Sequence, residues 1–118
     1  MFANERDNKN YDIFVGGWFS DYNDPLDFLN VMKTGVYDSY GLYSNSEYDS
    51  LIDSLTGEND NAKRLEIYQK LEDLLVAQDC GVAPLYYSDK HYYYQNWVKD
   101  FYTSSFGASQ ELYRATVE

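Results

Sequence analysis

With 118 residues the chain is long enough for one modest domain around a single core. Its apolar fraction is 44%, but 14 of those residues are tyrosines, whose apolar body and polar tip make a surface both wet and adhesive. A net charge of −11 with only nine lysines and arginines, gathered in no patch, argues against a nucleic-acid partner, and no apolar run approaches the roughly 20 residues of a membrane span.

Residues 1–10 are polar and are expected to be disordered. No apolar h-region stands in MFANERDNKNYDIF, so no signal peptide is expected there. Tyr11 to Trp18 (YDIFVGGW) is a nearly continuous apolar run bounded by turn signals, which predicts a strand covered on both faces. Asp24 followed by Pro25 predicts a helix start, with Leu26, Leu29 and either Met32 or Lys33 at helical spacing and Gly35 as the stop. A second helix opens in YSNSEYDSLIDSL. There Ser44 and Glu47 have capping-box spacing, Asn45 is a competing cap, and Tyr48, Leu51, Ile52 and Leu55 form the apolar stripe that Gly57 closes. The third and longest helix is expected from Asp60 to about Gln78. Leu65, Tyr68, Leu71, Leu75 and Gln78 are placed on one face, Ile67 and Leu74 widen it, and Lys63, Arg64, Glu66, Glu72 and Asp73 form a solvated face. Gly81 to Tyr87 (GVAPLYY) then reads as a strand that Pro84 confines to an edge or a bulge, with residues 90–94 (KHYYY) as a further strand. The fold class that follows is mixed α/β: about three helices packed on a partial sheet.

Cys80 is the single cysteine, so no disulfide closes within the chain; it is expected to be a small buried filler at a helix-to-strand junction. No Cys/His cluster has metal-ligand spacing, and neither a metal nor another cofactor is expected. His91, the one histidine, has no serine or cysteine arranged beside it for nucleophilic work and reads as a surface or packing residue. Gly16 and Gly17 lack the later glycine and lysine of a phosphate cradle. Asp21 and Asp24 are candidates for a glycosidase-like acid pair, yet Asp24 is accounted for as a helix cap, which leaves Asp21 without an assigned acid partner.

The segment GGWFSD, Gly16 to Asp21, is therefore the informative one. Glycines at a strand end let another backbone approach closely, and a carboxylate beside an indole accepts charge-assisted hydrogen bonds from an ammonium group. The partner this implies is an extended chain with a free amine: a peptide amino terminus, caught by strand addition. The competing reading is a carbohydrate-binding or glycoside-cleaving domain that uses Asp21 and surface tyrosines, among them Tyr92, Tyr93 and Tyr94.

Four ordered blocks carry a resemblance: YDIFVGGWFSDYNDPLDFL, YSNSEYDSLIDSL, DNAKRLEIYQKLEDLLVAQDCGVAPLYY and NWVKDF. Together they resemble the C-terminal portion of bacterial extracellular solute-binding family 5, the oligopeptide-binding proteins of ABC importers. Ser46 and Asn61 stand where that family usually has prolines at helix starts, and Cys80-Gly81 replaces its common Ala-Pro. The resemblance implies a piece of a periplasmic-binding-protein-like type II two-lobe fold, with residues 11–87 in the smaller, mobile lobe and 88–118 at the end of the larger. It implies that Asp21 pairs with a peptide's α-ammonium with Trp18 beside it. Gly17 and Phe19 offer backbone groups, and Tyr86 and Tyr87 line the hinge-side wall. No bond is made or broken in such a protein. An oligopeptide ligand, ABC permease subunits, a periplasmic or lipid-anchored extracellular location and self-association through the face left bare by the missing lobe complete the expectation.

Overall fold

A computed structural model of the chain describes residues 8–36, 42–106 and 114–118. Three α-helices form among them: α1, Leu26–Asn30; α2, Ser46–Ser54; and α3, Asn61–Glu72, which runs on as a wider π-helical turn over Asp73–Gln78. The Asp24 carboxylate accepts the Leu26 N–H at 2.8 Å, and the Pro25 carbonyl accepts those of Phe28 and Leu29, so α1 starts where the Asp-Pro pair predicts. It ends sooner than the apolar spacing suggests, and single turns carry the chain on to Val36. Of the two competing caps of α2, Asn45 prevails. Its extended backbone lets the side chain accept the Glu47 and Tyr48 N–H groups, while the Ser44 hydroxyl accepts instead from Thr34 at 3.1 Å. Asp60 caps α3 in the same way through Ala62 and Lys63.

These helices bury Leu29, Met32, Tyr43, Tyr48, Ile52, Leu55, Leu71, Leu74 and Leu75 in one core. Tyr48 is completely enclosed, donates its hydroxyl to the Leu29 carbonyl at 2.8 Å, and meets Tyr43 edge to face with ring centroids 5.3 Å apart. Two residues placed on the buried face of α3 are not there. Leu65 is 57% exposed. At about 100° per residue it stands roughly 120° round from Leu71, outside the sector the other helices cover. Gln78 is also exposed; the wider turn shifts the phase of the last residues, and its side chain turns back to Asp73 at 2.6 Å.

The strands expected over 11–18, 81–87 and 90–94 do not form. Among the described residues the one sheet is a two-stranded antiparallel pair, β1 (Val98–Lys99) and β2 (Thr116–Val117), in register Val98 to Val117 and Lys99 to Thr116. A strand exists only through its ladder of hydrogen bonds, and these three runs have no ladder partner among the described residues. In the run whose pattern predicts burial on both faces, Ile13 is consequently 86% exposed, and in the run expected to be an edge strand Leu85, Tyr86 and Tyr87 are exposed as well.

Cys80 also departs from expectation. It is exposed, at φ +51°. It occupies the left-handed position that ends the helix, and the next N–H, that of Gly81, reaches back to the Leu75 carbonyl at 2.8 Å. Glycine is the usual occupant there because a side chain in this conformation costs about 1–2 kcal/mol. Replacing Cys80 by Gly is accordingly expected to raise stability by about 1 kcal/mol, read from the midpoint of urea unfolding.

The chain divides into two compact units, one formed by Met1–Trp18 with Asp24–Pro84 and the other by Phe19–Asn23 with Leu85–Glu118. The first holds the helices and their core. In the second, Phe101 packs against Tyr94 at 5.0 Å and Tyr92 at 6.1 Å between ring centroids, and the Glu118 N–H closes on the Trp97 carbonyl at 3.0 Å. Among the described residues no helix is long and apolar enough to cross a membrane.

Candidate functional site

In the first unit the indole of Trp18 donates to the Asp27 carboxylate at 3.1 Å. Asp27 is 7% exposed and sits in the first turn of α1, where the helix dipole favours a negative charge. Trp18 is thus held to the start of α1 by a buried acid that the sequence reading passed over. An aspartate in a first helical turn looks like an ordinary solvated residue, and nothing in a nine-residue spacing marks an indole as its partner. Gly17, next to the tryptophan, has open space where a Cβ would project, so among the described residues no packing demands a glycine there.

Asp24 is fully engaged in structure. Its carboxylate accepts from the Leu26 N–H, from the Tyr68 hydroxyl at 2.6 Å and from the Arg64 guanidinium at 2.6 Å. Arg64 also donates to the carbonyls of Leu55 and Glu58 and to the Tyr68 hydroxyl, and stands over the Tyr68 ring. Burial works against the charged form of Asp24, but the bonds from Tyr68 and Leu26 and the charge of Arg64 outweigh it and hold the carboxyl below the usual range. Burial, helped by the Asp24 carboxylate, pushes the Tyr68 hydroxyl up to about 12. Arg64, assigned from sequence to a solvated face, is in fact the half-buried tie between the start of α1 and the loop before α3.

The second unit carries Phe19, Asp21, Tyr86 and Tyr87; Gly17 and Trp18 belong to the first. Within the short Phe19–Asn23 segment the Ser20 hydroxyl donates to the Tyr22 carbonyl, and the Asp21 side chain lies at the surface. Phe19 is 59% exposed, and the ammonium of Lys90 stands 4.5 Å from the centroid of its ring. Lys90 was absent from the sequence-based site, because a cation–π pair across some seventy residues leaves no local pattern. Tyr86 and Tyr87 are exposed, and so is His91. Among the described residues no group of three or more His, Cys, Asp or Glu side chains converges to hold a metal ion.

The second unit thus presents an exposed carboxylate at Asp21, the Phe19 ring with the Lys90 ammonium over it, and exposed tyrosines at 86 and 87. The periplasmic oligopeptide-binding protein OppA of Salmonella typhimurium is 31% identical over 97 residues, 82% of this chain and 18% of that protein. The oligopeptide-binding protein OppA of Bacillus subtilis is 30% identical over 102 residues, 85% of this chain and 17% of that protein. The probable deoxycholate-binding periplasmic protein YgiS of Escherichia coli is 34% identical over 70 residues, 59% of the chain and 13% of that protein. No protein-family model matches the chain, and no solved structure matches it significantly. The chain belongs to the bacterial solute-binding proteins of family 5, the family of the oligopeptide-binding proteins. It spans less than a fifth of the length of the curated relatives it matches, 17% to 18% of the two oligopeptide-binding proteins.

Proposed function

We propose that the chain is the C-terminal part of the substrate-binding component of a peptide importer, and that it takes the free amino end of an oligopeptide. The observation that carries this reading is the surface position of the Asp21 carboxylate, three residues beyond Trp18, in a chain whose relatives are named for the oligopeptides they bind. A carboxylate at the surface accepts up to three N–H bonds from an α-ammonium, and each such bond to a charged group is stronger than a neutral one. In the first unit Gly17, with open space where a Cβ would project, offers backbone groups to an extended ligand and Trp18 an aromatic edge. In the second, Phe19 offers backbone groups, and Tyr86 and Tyr87 offer exposed aromatic faces. Residues 11–87 belong to the smaller lobe of a type II two-lobe protein and 88–118 to the larger. The complete protein works outside the cytoplasm, in the periplasm or held by a lipid anchor, and passes its ligand to the permease subunits of an ABC transporter. Binding requires no bond to be made or broken, so the protein is a receptor and not an enzyme. The exposed tyrosines favour self-association when this stretch stands by itself.

Calorimetry with trialanine and N-acetyl-trialanine on the whole protein tests the reading. Asp21→Asn is expected to weaken binding of trialanine about tenfold or more while leaving the acetylated peptide unchanged. A loss of under about threefold rules out the ammonium role, and heat released only with an oligosaccharide mixture supports the carbohydrate alternative.

A further inference from the structure

Lys90 is fully able to extend into water, and confining so long a side chain costs rotamer freedom. Its ammonium nonetheless rests 4.5 Å from the Phe19 centroid, over a ring that is otherwise largely open to solvent. The face of Phe19 is therefore an ammonium-accepting surface by its quadrupole, and the group it holds is the chain's own. Phe19 precedes Asp21 by two residues in the same short segment, and Lys90 belongs to the same compact unit.

We propose that Lys90 is a tethered competitor for the Phe19 face, and that it makes the site select against peptides whose first side chain is cationic. The proposal rests on Asp21 as the acceptor of the peptide's α-ammonium. With that end fixed at Asp21, two residues beyond Phe19 in the same short segment, the first side chain of the ligand is assigned to the Phe19 face. A lysine there has to displace Lys90 from the ring and meets its positive charge while doing so. A neutral side chain does neither.

The test uses the whole protein and the tripeptides Lys-Ala-Ala and Ala-Ala-Ala, each with a free and an acetylated amino end. Lys90→Met is expected to improve binding of Lys-Ala-Ala about two- to fivefold relative to Ala-Ala-Ala, in line with an exposed cation–π contact. Phe19→Leu added to it is expected to abolish that gain. An unchanged ratio between the two peptides in Lys90→Met overturns the proposal. If only Lys90 has been misread, acetylation still weakens binding; if Asp21 has been misread, acetylation has no effect in the parent protein. A readout independent of ligand comes from proton NMR of the 118-residue chain. The Lys90 ε-methylene resonance is expected upfield of its free value and back at that value in Phe19→Leu. An unshifted resonance in the parent chain also overturns the proposal.

Discussion

Arg64→Met is expected to cost about 2–3 kcal/mol of folding stability, with the urea midpoint falling and the slope unchanged. The substitution keeps most of the apolar stem but takes the cation from the Asp24 carboxylate and the guanidinium donor from the Leu55 and Glu58 carbonyls, of which Leu55 keeps the Glu58 N–H. Loss of one partner from a fully buried pair costs about 3–5 kcal/mol. Here the Asp24 and Arg64 side chains retain 31% and 18% of their exposure, so water compensates part of the loss. The pH dependence gives a second reading. Asp24 is more acidic in the folded chain than the ordinary aspartate value of 3.8, so the folded state takes up its proton later than the unfolded state does. Its contribution is complete above that value and disappears as pH falls through the lowered folded one. Asp79 is lowered too, by hydrogen bonds from Tyr43 and Asn45, and its contribution is the same in both proteins. Acidification from pH 7 to about pH 3 is therefore expected to destabilise the parent more than Arg64→Met. An equal acid loss in the two proteins assigns Arg64 no part in Asp24's charge.

Gly81→Ala is expected to cost about 2–3 kcal/mol, within the range for overpacking a filled site. A Cβ at Gly81 comes within 2.5 Å of Tyr43 Cδ2, 3.0 Å of Cε2 and 3.2 Å of Leu75 Cδ1. The Tyr43 ring has nowhere to go: it is buried, its hydroxyl donates to Asp79 at 2.8 Å, and its flank rests on Tyr48. Gly57→Ala separates crowding from backbone strain. Gly57 has φ +81° and open space where the new methyl projects, so only the conformational cost of about 1 kcal/mol applies. Equal losses at the two positions in a urea titration exclude steric crowding as the reason for the glycine at 81.

The same site explains a departure noted from sequence. Cys80-Gly81 stands where the family usually has Ala-Pro, and the structure uses both residues of this chain's version. Cys80 takes the left-handed turn, while Gly81 gives its N–H to Leu75 and leaves room for Tyr43. A proline at 81 has no N–H to give.

Helix starts, and the stop of α2, were legible in the residues because their causes lie within a few positions, whereas α1 ends at Asn30, short of the Gly35 expected to close it. Asp24, Asn45 and Asp60 bond N–H groups two or three residues ahead, and Gly35 and Gly57 take the positive φ angles that close the turns. The apolar stripe of α2 and most of that of α3 followed from the same short-range periodicity, as did the family resemblance, which is carried by ordered local blocks. Tertiary structure alone decided how these charges are partnered: Asp27 with Trp18, Arg64 with Asp24, and Lys90 over Phe19 join residues 9, 40 and some seventy positions apart. It also decided that the apolar runs at 11–18 and 81–87 do not become strands among the described residues. The physical reason is common to both outcomes. A cap or a turn is satisfied by its own neighbourhood, whereas a buried ion or a strand is stable only once a distant group supplies the opposite charge or the opposite edge.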